Sequence, residues 1–244
     1  MNEELESKEI KIENTRGYGV AFSDLEGSWD PAFKSKIKKI SMKIIMKQVT
    51  FFQKIKLLYW FYKEKKKAKN IDLSDIRSKG MTNSSFIKQQ LEYISIFSAL
   101  ANVLDKEKAL KIMFSVMDAT AHEAFSLSAL TIEEVKPFGD PMEFFRKYFL
   151  AFSEASTKAG CHDMVLSENS KNCIQIDIIW CVYYELAKKM NVPEACIPNC
   201  YADDLYYPDY FKTFDIKYSR KGTLARGHKY CDCRFERYNC EKDF

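Results

Sequence analysis

The sequence predicts an α+β fold in which helices pack on one antiparallel sheet. Helical periodicity dominates the earlier part of the chain, whereas alternation of apolar and polar residues begins only after Gly160. Because the strands come late and do not alternate regularly with helices, an antiparallel sheet is expected. The length of 244 residues and the hydrophobic content of 46% suit one domain with an appended segment.

Changes in composition divide the chain into four parts. Residues 1–33 form an N-terminal arm with a charged start and weak structural signals. Residues 34–81 form a basic helical extension that ends in a junction rich in turn formers. Residues 82–238 form the α+β domain, and residues 239–244 form a short tail.

The extension is strongly basic and has helical periodicity. Between Lys34 and Lys69 there are thirteen lysines and one acid, Glu64. The apolar residues that recur at approximately helical intervals are Ile37, Ile40, Ile44, Ile45, Phe51, Phe52, Ile55, Leu58, Tyr59 and Tyr62. Two interpretations stay open: this apolar face packs on the domain, which we favour, or it contacts a membrane surface or another anionic partner. No recognisable module points to nucleic-acid binding.

Three helices are predicted between the junction and Gly160. The first spans 86–104, and Asp105 is a suitable N-cap for the second, which spans 106–130. The third begins after Asp140, where an N-cap residue, a proline and an acid three positions on combine into a start signal.

The remainder predicts four strands and a helix. Two strands, 164–166 and 173–179, flank a polar turn and form a hairpin. A helix at 181–190 follows them. Two further strands, at about 212–220 and 226–236, complete the sheet.

Reactive side chains are concentrated between residues 196 and 237. Cys200 comes just after Pro198, where a short helix can begin, and Asp203 lies three positions on, on the same helical face. A thiolate is a good nucleophile when a cation, a helix N-terminus or a base lowers its pKa. A buried cysteine without chemistry is the ordinary alternative, and the spacing does not decide between the two.

The last predicted strand has two distinct faces. Cys231 and Cys233 share a face with Phe235, so Cys233 is expected to be buried. Asp232 and Arg234 share the opposite face, either as an ion pair or as an orienting pair at a cleft.

Metal and cofactor sites are not expected. His228 with Cys231 and Cys233 offers zinc ligands, but a regular strand directs His228 and Cys231 to opposite faces. No glycine-rich phosphate loop indicates a nucleotide or a flavin. His162 follows a turn and is expected at the surface.

The chain is expected to be a cytoplasmic protein with free thiols. Its N-terminal residues lack the apolar segment of a secretory signal, and no apolar run is long enough to cross a membrane. The cysteine spacings match no small disulfide scaffold. The oligomeric state is open.

The C-terminal residues form a motif that reads C-x-x-D, then Arg and T-L-x-x-G, then C-D-x-R-F. It is carried by Cys200, Asp203, Arg220, Thr223, Leu224, Gly227, Cys231, Asp232, Arg234 and Phe235. This motif resembles the signature of the L-2-amino-thiazoline-4-carboxylic acid hydrolase family. A looser similarity through 142–149 and 180–194 extends the resemblance to about 85–237. One position departs from the family pattern, because Cys233 stands where an aromatic residue is usual.

The resemblance implies hydrolysis of a small-molecule substrate, a cyclic amidine or thiazoline that bears a carboxylate. In that interpretation Cys200 attacks the C=N carbon, and Asp203 assists proton transfer or orients the thiol. The substrate-binding residues would be Arg220, Thr223, Arg226, Cys231 and Asp232, with Arg220 or Arg226 holding the carboxylate. The alternative is a non-catalytic small-molecule binding or sensor module on the same fold.

Overall fold

A computed structural model describes residues 31–127 and 129–238, and these residues form the predicted α+β fold. The predicted tail, 239–244, and residues 1–30 of the predicted arm lie outside the described residues. Within the described residues, no helix is both long and apolar enough to cross a membrane.

Most of the helices precede the sheet. They are α1 (Pro31–Lys47), α2 (Phe51–Ala68), α3 (Ser74–Ser78), α4 (Ser84–Val103), α5 (Lys106–Ser126), α6 (Ile132–Val135) and α7 (Pro141–Lys158). Two lie among the strands: α8 (Val182–Lys189) and α9 (Ile197–Lys212). Short 3-10 helices occupy Lys136–Phe138, Pro193–Cys196 and Leu224–Arg226.

Two of the helix starts form as the sequence predicts. The Asp105 side chain accepts a hydrogen bond from the backbone N–H of Lys108, and the Asp140 side chain accepts one from Met142. These carboxylates satisfy backbone donors that have no partner within the helix. Both predicted N-caps are therefore confirmed.

The sheet has four antiparallel strands: β1 (His162–Asn169), β2 (Cys173–Cys181), β3 (Ile216–Ser219) and β4 (Cys231–Arg237). Their order across the sheet is β1-β2-β4-β3. Helix α9 is much longer than the short piece that the sequence predicted, and it takes up the start of the predicted strand at 212–220. The predicted strand at 226–236 begins only at Cys231, because a 3-10 turn and a left-handed Gly227 precede it.

The β1–β2 hairpin brings the two outer ends of its strands together. His162 pairs with Cys181, at the point where β2 ends and α8 begins. The loop before β1 passes close to an earlier turn: a Cβ atom on Gly160 would lie 2.3 Å from the backbone nitrogen of Met81. That contact ties the start of the sheet to the helical part of the molecule.

The buried side chains form two clusters that meet at α9. The first cluster lies among the helices and includes Leu100, Leu186 and Cys196. The second lies under the sheet and is rich in aromatic rings. Cys200 of α9 packs against the first cluster, whereas Phe211 of the same helix belongs to the second. Helix α9 therefore carries its polar residues between the two clusters.

The structure contradicts the prediction that the apolar face of the extension packs on the domain, and the contradiction lies in helix α2. Its buried residues are Leu57, Glu64 and Ala68, and it packs with this edge against α4. Most of the predicted apolar residues in α2 lie on its other side. The exposed ones are Phe51, Phe52, Ile55, Leu58, Tyr59 and Tyr62. For these six residues the packing interpretation is wrong.

Candidate functional site

Arg220 is the ionic centre of the site. Its side chain is only 3% exposed, and its Nη1 lies 3.0 Å from Asp203 Oδ2 while its Nη2 lies 2.7 Å from Asp204 Oδ1. Nη2 also donates to the backbone carbonyl of Cys200. Arg220 directly follows β3, and its guanidinium therefore links the end of that strand to Cys200, Asp203 and Asp204 in the first half of α9.

Asp203 combines a buried carboxyl with strong charged neighbours. Burial raises its pKa to about 6, and the charge of Asp204 acts in the same direction. Arg220 and His162 oppose that rise because their positive charges stabilise the carboxylate. A carboxyl group with this pKa can both accept and release a proton near neutral pH.

The loop between β3 and β4 is held by residues of the C-terminal motif. Asp232 Oδ1 accepts hydrogen bonds from the backbone N–H groups of Lys221 (3.0 Å) and Gly222 (2.7 Å). Thr223 is fully buried, and its hydroxyl accepts a hydrogen bond from the backbone N–H of Arg226 at 3.2 Å. These bonds fix the backbone on which the two arginines stand.

The outer side of the same loop is more open. Gly222 lies under the ring of His228, where a Cβ atom would come within 2.3 Å of Nδ1. Cys231 Sγ accepts a hydrogen bond from the backbone N–H of Leu224 at 3.3 Å. Arg226 is 42% exposed, with its Nη2 3.8 Å from Asp204 Oδ2. Of the two predicted carboxylate-binding arginines, Arg226 is thus the exposed one.

Three thiols follow one another beside this charged cluster. Cys196 hydrogen bonds with both Cys181 and Cys200, and these contacts raise the pKa of Cys196, the one with Cys181 most strongly. Cys181 comes directly before α8, and Cys196 directly before α9. All three thiols are free. We call Cys181, Cys196 and Cys200 the thiol row.

Cys181 is the thiol whose negative charge is best stabilised. The hydrogen bond with Cys196 lowers the pKa of Cys181 well below its usual range, and His162 adds to this by its charge and by a hydrogen bond. Burial opposes the shift. Cys181 Sγ makes no regular capping hydrogen bond, yet the backbone N–H of Tyr184 in the first turn of α8 also favours the thiolate.

His162 is positioned from both sides. Its Nδ1 lies 3.0 Å from the hydroxyl oxygen of Ser156 in α7, and its ring also hydrogen bonds with Cys181. The ring also stacks on Tyr183, with centroids 5.9 Å apart and an interplanar angle of 25°. The expectation that His162 lies at the surface is therefore wrong, because the hairpin register carries it to Cys181.

One buried hydroxyl faces the thiol row without a partner. Tyr93 Oη of α4 is buried and has no hydrogen-bond partner among the described residues. Burial raises the pKa of Tyr93, and Cys196 and Cys200 raise it further, which brings all three into one neighbourhood. An unpaired buried hydroxyl is costly, so it is a natural donor for a bound molecule.

Five of the seven predicted site residues contact another member of the set directly: Cys200, Asp203 and Arg220 in one group, and Thr223 and Arg226 in another. Arg220 joins Cys200 to Asp203, Arg226 lies near Asp204, and Asp232, Thr223 and Cys231 hold the loop that carries the arginines. The side chains of Thr223, Cys231 and Asp232 all accept hydrogen bonds from the backbone of that loop. The sequence interpretation did not include Cys181, His162, Ser156, Tyr93 and Asp204.

The other face of β4 differs from both predicted arrangements of Asp232 and Arg234. Arg234 pairs with Glu168 of β1 and with Glu236, at 2.5 Å and 2.9 Å, whereas Asp232 holds the loop. The predicted burial of Cys233 beside Phe235 is confirmed. Across the residues that the structure describes, no group of three or more histidine, cysteine or acidic side chains could hold a metal ion.

Chemically, the site offers a thiol whose pKa is lowered, an imidazole, and a carboxyl group whose pKa is raised to about 6. A thiolate next to an imidazole is the usual arrangement for nucleophilic attack on an electrophilic carbon. The carboxyl group supplies acid or base catalysis.

Comparison with known proteins agrees with the motif. The family model of L-2-amino-thiazoline-4-carboxylic acid hydrolase matches residues 85–235, which include the thiol row, His162, Asp203 and Arg220. No curated protein matches the chain, and no solved structure does. The family match spans well over half of the sequence, and the chain belongs to the L-2-amino-thiazoline-4-carboxylic acid hydrolase family.

Proposed function

We propose that this protein is a hydrolase that opens a small carboxylated thiazoline or cyclic amidine by thiol-assisted hydrolysis. The observation that carries the proposal is the meeting of Cys181 and His162 at the end of the β1–β2 hairpin, beside Asp203. Membership of the family supports the same class of substrate. The preferred substrate is 2-amino-thiazoline-4-carboxylate, after which the family is named.

The first half of the reaction forms a covalent intermediate. The Cys181 thiolate adds to the C=N carbon of the ring, and the ring nitrogen takes a proton from the His162 imidazolium. The tetrahedral adduct then collapses by breaking the bond between that carbon and the ring sulfur. The sulfur leaves as a thiolate and takes a proton from the isothiouronium nitrogen that the collapse creates. Cys181 is left joined through its sulfur to an isothiourea.

The second half returns the enzyme to its starting state. Asp203, as a carboxylate, takes a proton from a water molecule whose oxygen attacks the isothiourea carbon. Asp203 passes its proton on to the imino nitrogen of the intermediate, and the bond to Cys181 breaks, which restores the thiolate. The proton of the attacking hydroxyl returns to His162, and a ureido product with a free thiol departs. One water molecule is consumed, and no oxidant or reductant is required.

The arginines have different roles in this proposal. Both Nη atoms of Arg220 are already used by Asp203, Asp204 and the Cys200 carbonyl, so Arg220 positions the catalytic carboxylate. Arg226 is free to turn toward a ligand, and a guanidinium suits a substrate carboxylate. Tyr93 can donate its unpaired hydroxyl to the ring nitrogen of the substrate or accept a hydrogen bond from the amino group.

Cys200 is the competing nucleophile. It lies at the other end of the thiol row, two hydrogen bonds from Cys181, and the Arg220 guanidinium binds its carbonyl rather than its sulfur. Cys181 is favoured because the His162 imidazole and the backbone N–H of Tyr184 at the start of α8 stabilise its thiolate. Both thiols contact Cys196, so that contact does not distinguish them.

Covalent labelling distinguishes these assignments. The probe is 2-methylthio-thiazoline-4-carboxylate, in which thiolate attack expels methanethiol and leaves the ring on the protein. Intact-protein and peptide mass spectrometry should find one added ring, on Cys181. The label should persist in Cys200→Ser and disappear in Cys181→Ser, with Cys173→Ser as the control cysteine.

The outcomes separate three assignments. A label on Cys200 that survives Cys181→Ser would transfer the nucleophile role to Cys200. Turnover of 2-amino-thiazoline-4-carboxylate that survives both substitutions would remove thiol catalysis. Tight binding of that compound without turnover, measured by calorimetry, would instead support the sensor module.

A further inference from the structure

The exposed side of α2 is an apolar strip edged by lysines. Its six apolar side chains range from 55% exposed for Ile55 to 75% for Phe52. At about 100° per residue around the helix axis, they span an arc of about 120°. We call this set, Phe51, Phe52, Ile55, Leu58, Tyr59 and Tyr62, the α2 strip.

The charges around the strip all have one sign. On the same helical projection, Lys56 and Lys63 lie along one edge, and Lys54 and Lys65 lie along the other. The one acid of α2, Glu64, is on the opposite side and buried, where Asn102 donates to it at 3.4 Å. Helix α1 contains no acid in its sequence. A partner for this surface must therefore accept apolar side chains in its middle and carry negative charge along both edges.

We propose that α2 lies on the surface of an anionic lipid bilayer, with the α2 strip inserted at the boundary between headgroups and acyl chains. Helices of this type bury one apolar face a few ångströms deep, and long lysine side chains reach outward to lipid phosphates. Tyrosines suit the same depth because their rings are apolar and their hydroxyls stay among the headgroups. Tyr59 and Tyr62 provide this combination.

A second copy of the chain fits the strip less well. In a two-fold dimer the same patch meets itself, so the lysine edges of one helix would approach the lysine edges of the other. Glu92 of α4, 3.8 Å from Lys65, offsets that repulsion only in part. Among the described residues, no acid is paired with Lys54, Lys56 or Lys63. An anionic bilayer satisfies both edges at once, since each lysine near such a surface strengthens binding about fivefold.

Among the residues that the structure describes, α2 is held by its other edge, so the strip can meet a bilayer without unfolding. Helix α2 is fixed by its other edge, where Leu57 and Ala68 join the helical core. Its first turn is held by Thr50, which forms a capping box with Gln53. The helix is therefore a rigid platform, and substitutions in the strip should not change the fold.

Vesicle flotation of the full-length protein tests the proposal. The probes are phosphatidylcholine vesicles with and without phosphatidylserine. The protein should float with the anionic vesicles and much less with the neutral ones. K56Q with K63Q should weaken the partitioning about 25-fold, at about fivefold per lysine. F52S with Y62S should lower it by about 100-fold, because each ring contributes tenfold or more.

The control is I179S with L150S, which removes two apolar side chains that are 51% and 43% exposed elsewhere on the molecule. It should float as the wild type does, and circular dichroism melting checks that every variant is folded. Absence of flotation with anionic vesicles would overturn the proposal. So would equal flotation of F52S with Y62S, or a dimer in sedimentation velocity that this variant abolishes while vesicles stay unbound.

Discussion

Cys181 and Cys233 stand on neighbouring strands of one sheet but in opposite environments. Burial raises the pKa of Cys233 to about 12, and its sulfur accepts a weak contact from the Tyr218 hydroxyl at 3.9 Å. The pKa of Cys181 is instead lowered by its hydrogen bond with Cys196 and by His162. The same functional group is thus kept neutral in one place and stabilised as an anion in the other.

The difference comes from where each residue stands along its strand. Cys233 lies inside β4, where alternation directs its side chain into the aromatic core. Cys181 is the last residue of β2, so the next backbone N–H groups belong to a helix start, and the strand pairing brings a histidine beside it. In the proposed mechanism, the reactive thiol therefore comes from a strand end and not from a strand interior.

Removing the Cys181 sulfur should have the largest effect. Under the proposed mechanism, Cys181→Ala lowers kcat about 10⁴-fold, because the covalent route is lost. Steady-state kinetics with 2-amino-thiazoline-4-carboxylate measures this. Cys173→Ala, which removes a buried thiol at the start of β2, should leave kcat within about twofold of the wild type. Equal losses in both variants would mean that the local environment of Cys181 does not matter for activity.

Replacing His162 should bring the pKa of Cys181 closer to that of Cys233 without removing the Cys181 thiol. His162→Gln is expected to lower kcat about 10²- to 10³-fold and to raise the pKa of Cys181, because a charge and a hydrogen bond that favour the thiolate disappear. The rate of iodoacetamide alkylation of Cys181 against pH, followed by peptide mass spectrometry, reports that shift directly. An unchanged alkylation profile would separate His162 from the thiol.

Ser156→Ala serves as the graded control for His162. It keeps the imidazole but removes the hydroxyl that holds Nδ1. The alkylation profile should move in the same direction by a smaller amount. A larger movement than in His162→Gln would assign the effect to packing of α7 rather than to the ring.

The sequence predicted the strand interiors and helix starts well because local rules decide them. Alternation placed Cys233 and Phe235 on one buried face, and the caps at Asp105 and Asp140 required only their own helices. The family motif likewise led to Arg220, Cys200 and Asp203, which the structure joins through one guanidinium.

The contact between Cys181 and His162 depends on the register of the β1–β2 hairpin. That register cannot be deduced from the amino-acid composition of the two strands. The two residues lie at nearly equal distances from the turn that joins β1 and β2, and antiparallel pairing makes such residues partners. That signal was present in the predicted hairpin. It was not decisive, because two irregularities in the β1–β2 pairing shift the register along the way.

The pH dependence of activity should respond to the charges around Asp203. Because the proposed water activation needs the carboxylate, kcat/KM should rise with pH through about 6, the pKa to which burial raises Asp203. Asp204→Asn removes a negative charge and should move this rise in kcat/KM to lower pH. Arg220→Gln removes a positive charge and should move it to higher pH.

The two opposite shifts form a matched pair. They are measured from pH profiles of kcat/KM, with thermal melts to confirm that each variant is folded. If the rise of kcat/KM moved in the same direction along the pH axis in both variants, it would report the titration of a group other than Asp203. Asp204→Asn is sufficient alone if Arg220→Gln does not fold.

The smallest expected effect concerns the core thiol. Cys233→Ala should lower the free energy of unfolding by about 1 to 2 kcal/mol, because a buried sulfur is replaced by a small void and the Tyr218 hydroxyl loses its contact. Urea unfolding measures this, and Ile179→Ala, at a position 51% exposed, should change the value by less than about 0.5 kcal/mol. Activity should stay at the wild-type level, since the neutral thiol of Cys233 supports the sheet and takes no part in the proposed proton transfers. A loss of activity that exceeds the loss of folded protein would instead bring Cys233 into the site, through its interaction with Arg220.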